Sequence, residues 1–215
     1  MRVNADFDRR VVVRFADTEW IPSPMPGVER KMLDRIGGEV ARATSIVRYA
    51  PGSAFSAHTH DGGEEYLVLD GTFCDEHGAF PTGSYVRNPP TSSHTPSAPD
   101  GAIILVKLHQ MAADDRTQVG IDLTGSDAPR QELHRDKREA VSVARLGTGE
   151  VIALDGPGGA EVFVLSGEVT EGGDTLGRWD WLRLPRKAKT TVTAGESGAT
   201  LWIKTGHLDH VSAPG

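Results

Sequence analysis

The sequence predicts an all-β chain made of two tandem copies of one small module. Three observations carry this prediction. First, the apolar runs are short (residues 44–49, 66–69, 103–108, 162–165 and 200–204), and Gly, Pro, Asp or Ser bounds each of them, the pattern of short strands joined by tight turns. Second, glycine (25) and proline (13) are abundant, as sandwiches and barrels with many turns require. Third, the stretch 58–71 recurs without gaps at 154–167, and self-similarity of this kind marks a duplicated unit.

Each element can be justified in order. At 215 residues the chain can bury one large core or two small ones. Residues 1–10 are polar and lack the apolar core of a signal peptide. No apolar stretch reaches the length of a membrane span, and a cytoplasmic location is expected. The strand over 64–70 follows the turn-forming triplet Asp61-Gly62-Gly63. The segment 130–144 is the best candidate for a helix. The polar stretch 114–136 reads as the junction, which sets a first domain at 1–115, a linker at 116–136 and a second domain at 137–215.

Charge and cysteine usage narrow the function. The formal net charge is -7 and the pI about 5.6, so the surface repels phosphate backbones and no direct nucleic-acid contact is expected. The densest basic run, Arg183, Arg186, Lys187 and Lys189, reads as a solvated face. Cys74 stands alone, which excludes an internal disulfide and a multi-cysteine metal site. As a lone thiol it reads as a small hydrophobe. No nucleophile-elbow motif is present.

The repeat also acts as an internal control. The offset that sets 58–71 on 154–167 places Tyr85 on Trp181, Arg87 on Arg183 and Pro89 on Pro185. It places His58, His60, Glu64 and His94 on Leu154, Gly156, Ala160 and Thr190. Turns and strands are kept in both copies, but the metal-ligating side chains survive only in the first. His58 and His60, two apart on a strand, present both imidazoles to one face. Glu64 opens the next strand across the hairpin, and His94 follows the rigid Asn88–Ser93 loop. Three imidazoles and a carboxylate suit one divalent ion, with Zn the first choice and Fe(II), Mn, Ni or Cu compatible. Glu65 points to the opposite face and survives as Glu161, which gives it a structural role. Tyr66 and Val68 share Glu64's face and should line the interior, where Tyr66 can reach a ligand. His77, His109, His207 and His210 read as solvent-facing.

Gly52, His58, His60, Glu64 and Gly71 fall at the spacing of the first cupin motif. Gly83, Pro89 and His94 follow the second in outline, which departs at Thr91 and Ala98, where cupins often carry glycine and asparagine. More narrowly, the run 83–90, the Asp75-Glu76-His77-Gly78 turn and the strand end 106–110 resemble the ChrR-type cupin, the C-terminal module of a zinc-containing anti-sigma factor. The resemblance implies a double-stranded β-helix (cupin jelly roll) in each module. It places the metal inside the first barrel on His58, His60, Glu64 and His94. It further implies a small-molecule ligand in that barrel, a homodimer, and a regulatory or sensing role in a transcriptional stress response. Sigma-factor binding itself is not expected, because the family's helical domain with its His/Cys zinc site has no counterpart here. The alternative is an Fe(II)-dependent dioxygenase acting on a small diketone or aryl ketone.

Overall fold

Among the described residues every regular element is a β-strand, apart from one 3-10 turn at His207–His210. The computed structural model describes residues 1–214 and resolves into two units. The first holds residues 1–5, 19–125 and the tail from 212; the second holds 6–18 and 126–211.

In the first unit the central strand is Glu64–Asp75. It lies between Ala102–Leu108 and Ser84–Asn88, and the sheet continues outward through Ala41–Tyr49 and Val28–Gly37 on one side and Val119–Asp122 on the other, antiparallel throughout. Period-two alternation explains its two faces. Tyr66 and Val68 enter a core with Val47, Phe73, Ile104 and Val106, whereas Glu65 takes the opposite side. The strand bends at Gly71, where φ is 73°. A Cβ there would collide with the carbonyl oxygen of Gly101, so glycine is required. Gly167 meets Gly198 in the same way in the second unit, with φ 72°. This is why a closing glycine stands in both copies.

The second unit runs in the order Arg130–Arg135, Ala140–Leu146, Lys189–Thr205, Ala160–Glu171, Trp181–Leu184 and Val11–Val13. Its core includes Val162, Val164, Leu182, Leu201 and Ile203. The repeat holds in register. Tyr85 and Arg87 pair with Leu67 and Glu65, as Trp181 and Arg183 pair with Phe163 and Glu161. His58 pairs with His94, as Leu154 pairs with Thr190.

The register also lines up buried charge. Glu65 sits between Arg87 and Lys107 on its two neighbouring strands, and Glu161 sits between Arg183 and Lys204. All six are at most 3% exposed. Glu65 accepts a hydrogen bond from the Tyr85 hydroxyl at 2.7 Å, and Glu161 accepts one from the Trp181 indole at 3.3 Å. The structural role read for Glu65 rests on this ladder.

Three expectations are corrected. The helix expected over 130–144 is a hairpin of Arg130–Arg135 and Ala140–Leu146. Asp136 caps its turn by accepting the Arg138 and Glu139 amides, a local alternative to helix that Asp offers readily. The basic run is a solvated face only in part: Arg186, Lys187 and Lys189 are exposed, Arg186 pairing with Asp8 at 3.0 Å, whereas Arg183 is fully buried. The stretch read as a linker supplies a strand to each unit, Val119–Asp122 and Arg130–Arg135, and residues 6–18 lie with the second unit through Val11–Val13.

Candidate metal centre

Two short strands outside the main sheet, His58–Thr59 and Ser93–His94, pair so that His58 lies opposite His94. The pairing continues at His60, whose amide donates to the Ser92 carbonyl at 2.9 Å. The three imidazoles therefore stand edge to face, with ring centroids 4.7 to 5.1 Å apart. Their nearest ligand atoms lie within 4.8 Å of one another. Glu64 reaches in from the neighbouring strand, its Oε2 3.5 Å from His60 Nε2 and 3.7 Å from His94 Nε2. The four residues picked out by the sequence thus come together.

Each ring is oriented from behind. His58 Nδ1 donates to the Ser56 carbonyl at 3.2 Å, and His94 Nδ1 donates to the Asp75 carboxylate at 3.0 Å. His60 Nδ1 meets the Ser92 hydroxyl at 3.1 Å. The carbonyl and the carboxylate can only accept, which fixes the tautomers of His58 and His94 and leaves their Nε2 lone pairs for a metal; the Ser92 hydroxyl, able to donate or accept, steadies the His60 ring. His60 Nε2 and His94 Nε2 are buried with no hydrogen-bond partner, a costly state for polar atoms unless something else binds them. The cluster could hold a metal, and these two atoms fit one.

Electrostatics agree with the geometry. Burial, aided by the neighbouring His94, His58 and His109, pushes His60 down to about 3. His94 is lowered too, chiefly by burial and against the pull of Asp75. Both are thus held neutral, the ligating form. Burial pushes Glu64 up to about 7; the bond from Asn88 opposes this and the Asp75 charge adds to it.

Sequence reasoning missed the supporting residues. Asn88, opposite Glu64 in register, donates to Glu64 Oε2 at 3.2 Å, and Gln118 donates to Asn88 Oδ1 at 2.7 Å. Asp75 had signalled only a turn. In the second copy Glu171 stands at the position equivalent to Asp75. It takes the Thr190 hydroxyl at 2.7 Å and an ion pair from Arg10 at 2.7 Å in place of an imidazole.

Of the histidines read as solvent-facing, His77 and His210 are exposed. His207 is buried and bonds Glu161 at 2.7 Å, because the 3-10 turn folds it inward. His109, held at φ 54°, lines a cavity of about 340 Å³ that also reaches His58, His60 and Glu64. A second recess, about 500 Å³, is lined by His94, Asp75, Asn88 and Gln118. Tyr66 faces inward as expected, and its buried hydroxyl has no hydrogen-bond partner.

Fold and site together define a bicupin with a histidine cluster, able to hold a metal, in its first barrel. Known structures share the fold over nearly the whole chain. Bacterial pirin YhhW from Escherichia coli, in complex with nickel(II), is similar at TM-score 0.70 and 13% identity, over 92% of this chain and 98% of that one. A candidate dioxygenase from Nostoc punctiforme matches at TM-score 0.74 and 12% identity, over 96% and 86%. Salicylate 1,2-dioxygenase from Pseudoaminobacter salicylatoxidans matches at 0.64 and 13%, over 93% and 81%. More narrowly, residues 8–112 match the model of the ChrR cupin-like domain. Comparison with curated proteins finds no sequence match. Among the described residues no helix is long and apolar enough to cross a membrane.

Proposed function

We propose that the first barrel holds one divalent metal through His58, His60, Glu64 and His94 and presents it to a small molecule, as the ligand-responsive module of a transcriptional stress response. The observation that carries the metal assignment is the pair of buried, unpartnered Nε2 atoms beside the Glu64 carboxylate. The regulatory role is drawn from the likeness of residues 8–112 to the ChrR cupin. Zn is the first choice, since a redox-silent ion suits a sensor. The chain's own residues do the remaining work: Asp75, Ser56 and Ser92 aim the imidazoles, and Asn88, backed by Gln118, holds Glu64 toward them.

A second reading, an Fe(II) dioxygenase acting on a β-diketone or aryl ketone, gains support from the cavity that opens onto His58, His60 and Glu64. A site with room for a substrate beside the metal is the arrangement catalysis needs. Elemental analysis of protein prepared without added metal, followed by oxygen-uptake assays after anaerobic Fe(II) loading, separates the two. The sensing reading expects zinc and no oxygen consumption. Uptake that depends on His94 and Glu64 would overturn it.

The Glu64 environment sets a pH dependence. A metal binds the ionised carboxylate, and the proton competes for it below about 7. Apparent metal affinity is therefore expected to fall as pH drops from 7, by about tenfold per pH unit for one displaced proton. Titration with a competing chelator at several pH values measures this. The slope should be shallower in Glu64→Gln, and an unchanged slope there would exclude Glu64 as the competing group.

A further inference from the structure

The cavity beside the metal ligands carries two arginines that the metal does not use. Arg30 and Arg35 both line it, against walls that include Val28, Val47, Phe55 and Leu108. Five residues apart on a regular strand, the two would face opposite ways. A register shift between Met32 and Asp34 changes this, because a β-bulge re-aims the side chains beyond it. Arg30 lies opposite Val47, which leads across the sheet through Ile104 to Val68, a core residue. Arg35 lies opposite Ala43, which leads through Leu108 to Glu64. Both arginines thus share the inner face with Glu64 and Val68.

Neither charge is answered by an ion pair among the described residues. Arg30 Nε is buried with no hydrogen-bond partner. Arg35 is 4% exposed, and its guanidinium donates only to the main-chain oxygens of Gly38 and Glu39. Among the described residues neither forms an ion pair with a carboxylate; Glu39 and Asp61, which share the lining, are exposed. The two cations also act on each other: burial first and the Arg30 charge second push Arg35 down, outweighing the opposing charge of the exposed Glu39. Two neighbouring guanidinium groups at an apolar cavity form a receptor for a planar anion, which each can bind in a bidentate fork.

We propose that the cavity binds a small monocarboxylic acid with an apolar body, its carboxylate held by Arg30 and Arg35 and its other end directed toward His58, His60 and Glu64. About 340 Å³ is at the lower end of small-molecule sites, so the acid is compact. The proposal names the ligand class of the small-molecule reading above and rests on it for the orientation toward the metal.

The test is calorimetric titration of the full-length protein, metal-loaded and metal-free, with monocarboxylates from butyrate to 3-phenylpropionate and with the matching neutral amides. At least one acid is expected to bind, with its amide weaker by about tenfold or more, the size of a lost charge-assisted pair. Arg30→Met should cost a similar factor with metal content unchanged, and Arg30→Lys should recover part of it. Circular dichroism checks that each variant is folded, and Arg35→Met gives a second variant should Arg30→Met fail to fold. Binding of acids to metal-free protein with full dependence on Arg30 would uphold the anion site even if the metal assignment fails. Amides that match their acids, acids indifferent to both arginine variants, or no acid binding at all would each overturn the proposal.

Discussion

His58→Ala/His60→Ala is expected to bring metal content from near one equivalent per chain to near none. Two of four ligands are removed, and even disturbing a group behind a ligand costs on the order of 10–100-fold in affinity. The fold should survive, because His58 is exposed and both residues lie outside the main sheet. Asp75→Asn, which removes no ligand and weakens the support of His94, should show a smaller loss. His77→Ala and His210→Ala are suitable controls, being exposed; His207 is not, since it is bonded to Glu161. Elemental analysis reads the result. Full occupancy in the double variant would remove the assignment.

The second large effect concerns stability. Glu65→Ala leaves Arg87 and Lys107 buried beside an empty position, with the Tyr85 hydroxyl deprived of its acceptor. Arg87 keeps its 2.7 Å pair with Asp115, so part of its charge remains answered. Breaking a buried charge cluster by deleting one member costs about 3–5 kcal/mol, which for a chain of this size is a fall of about 10 °C in Tm. Thermal unfolding followed by circular dichroism measures it. Glu65→Gln, which keeps an acceptor for Tyr85, should lose less. A Tm unchanged in Glu65→Ala would mean that the ladder contributes no net stability.

The duplication made much of this legible in the sequence. Strand runs, closing glycines and the loss of four candidate ligands from the second copy are all visible along the chain, because period-two patterning and turn chemistry are local properties. The candidate ligand set was legible because three of its members fall within seven residues, 58 to 64, and the fourth follows a rigid Pro-Pro loop. What remained hidden depends on pairing between distant strands. Asn88 reaches Glu64 only through the register of Ser84–Asn88 on Glu64–Asp75. Arg30 and Arg35 share a face only because of the shift after Met32, which no residue type there announces. The hairpin over 130–146 was misread because its turn residues, Asp136 to Glu139, are equally at home in a helix until the Asp136 carboxylate captures the Arg138 and Glu139 amides. The burial of Arg183 likewise comes from its register opposite Glu161, not from its neighbours in sequence.

The exchange of Tyr85 for Trp181 at equivalent places in the two sheets has an optical consequence. All three tyrosines, Tyr49, Tyr66 and Tyr85, belong to the unit with the histidine cluster, whereas Trp179, Trp181 and Trp202 belong to the unit without it; the fourth tryptophan, Trp20, lies in the first unit. Tyrosine is therefore confined to the first half, while tryptophan is concentrated in the second, with Trp20 alone in the first. An ion that binds one half stabilises the state that holds it. In a Trp20→Phe variant, tyrosine absorbance on titration with metal then follows the barrel that binds, and emission from Trp179, Trp181 and Trp202 serves as the built-in reference from its relative, in one cuvette and without a label.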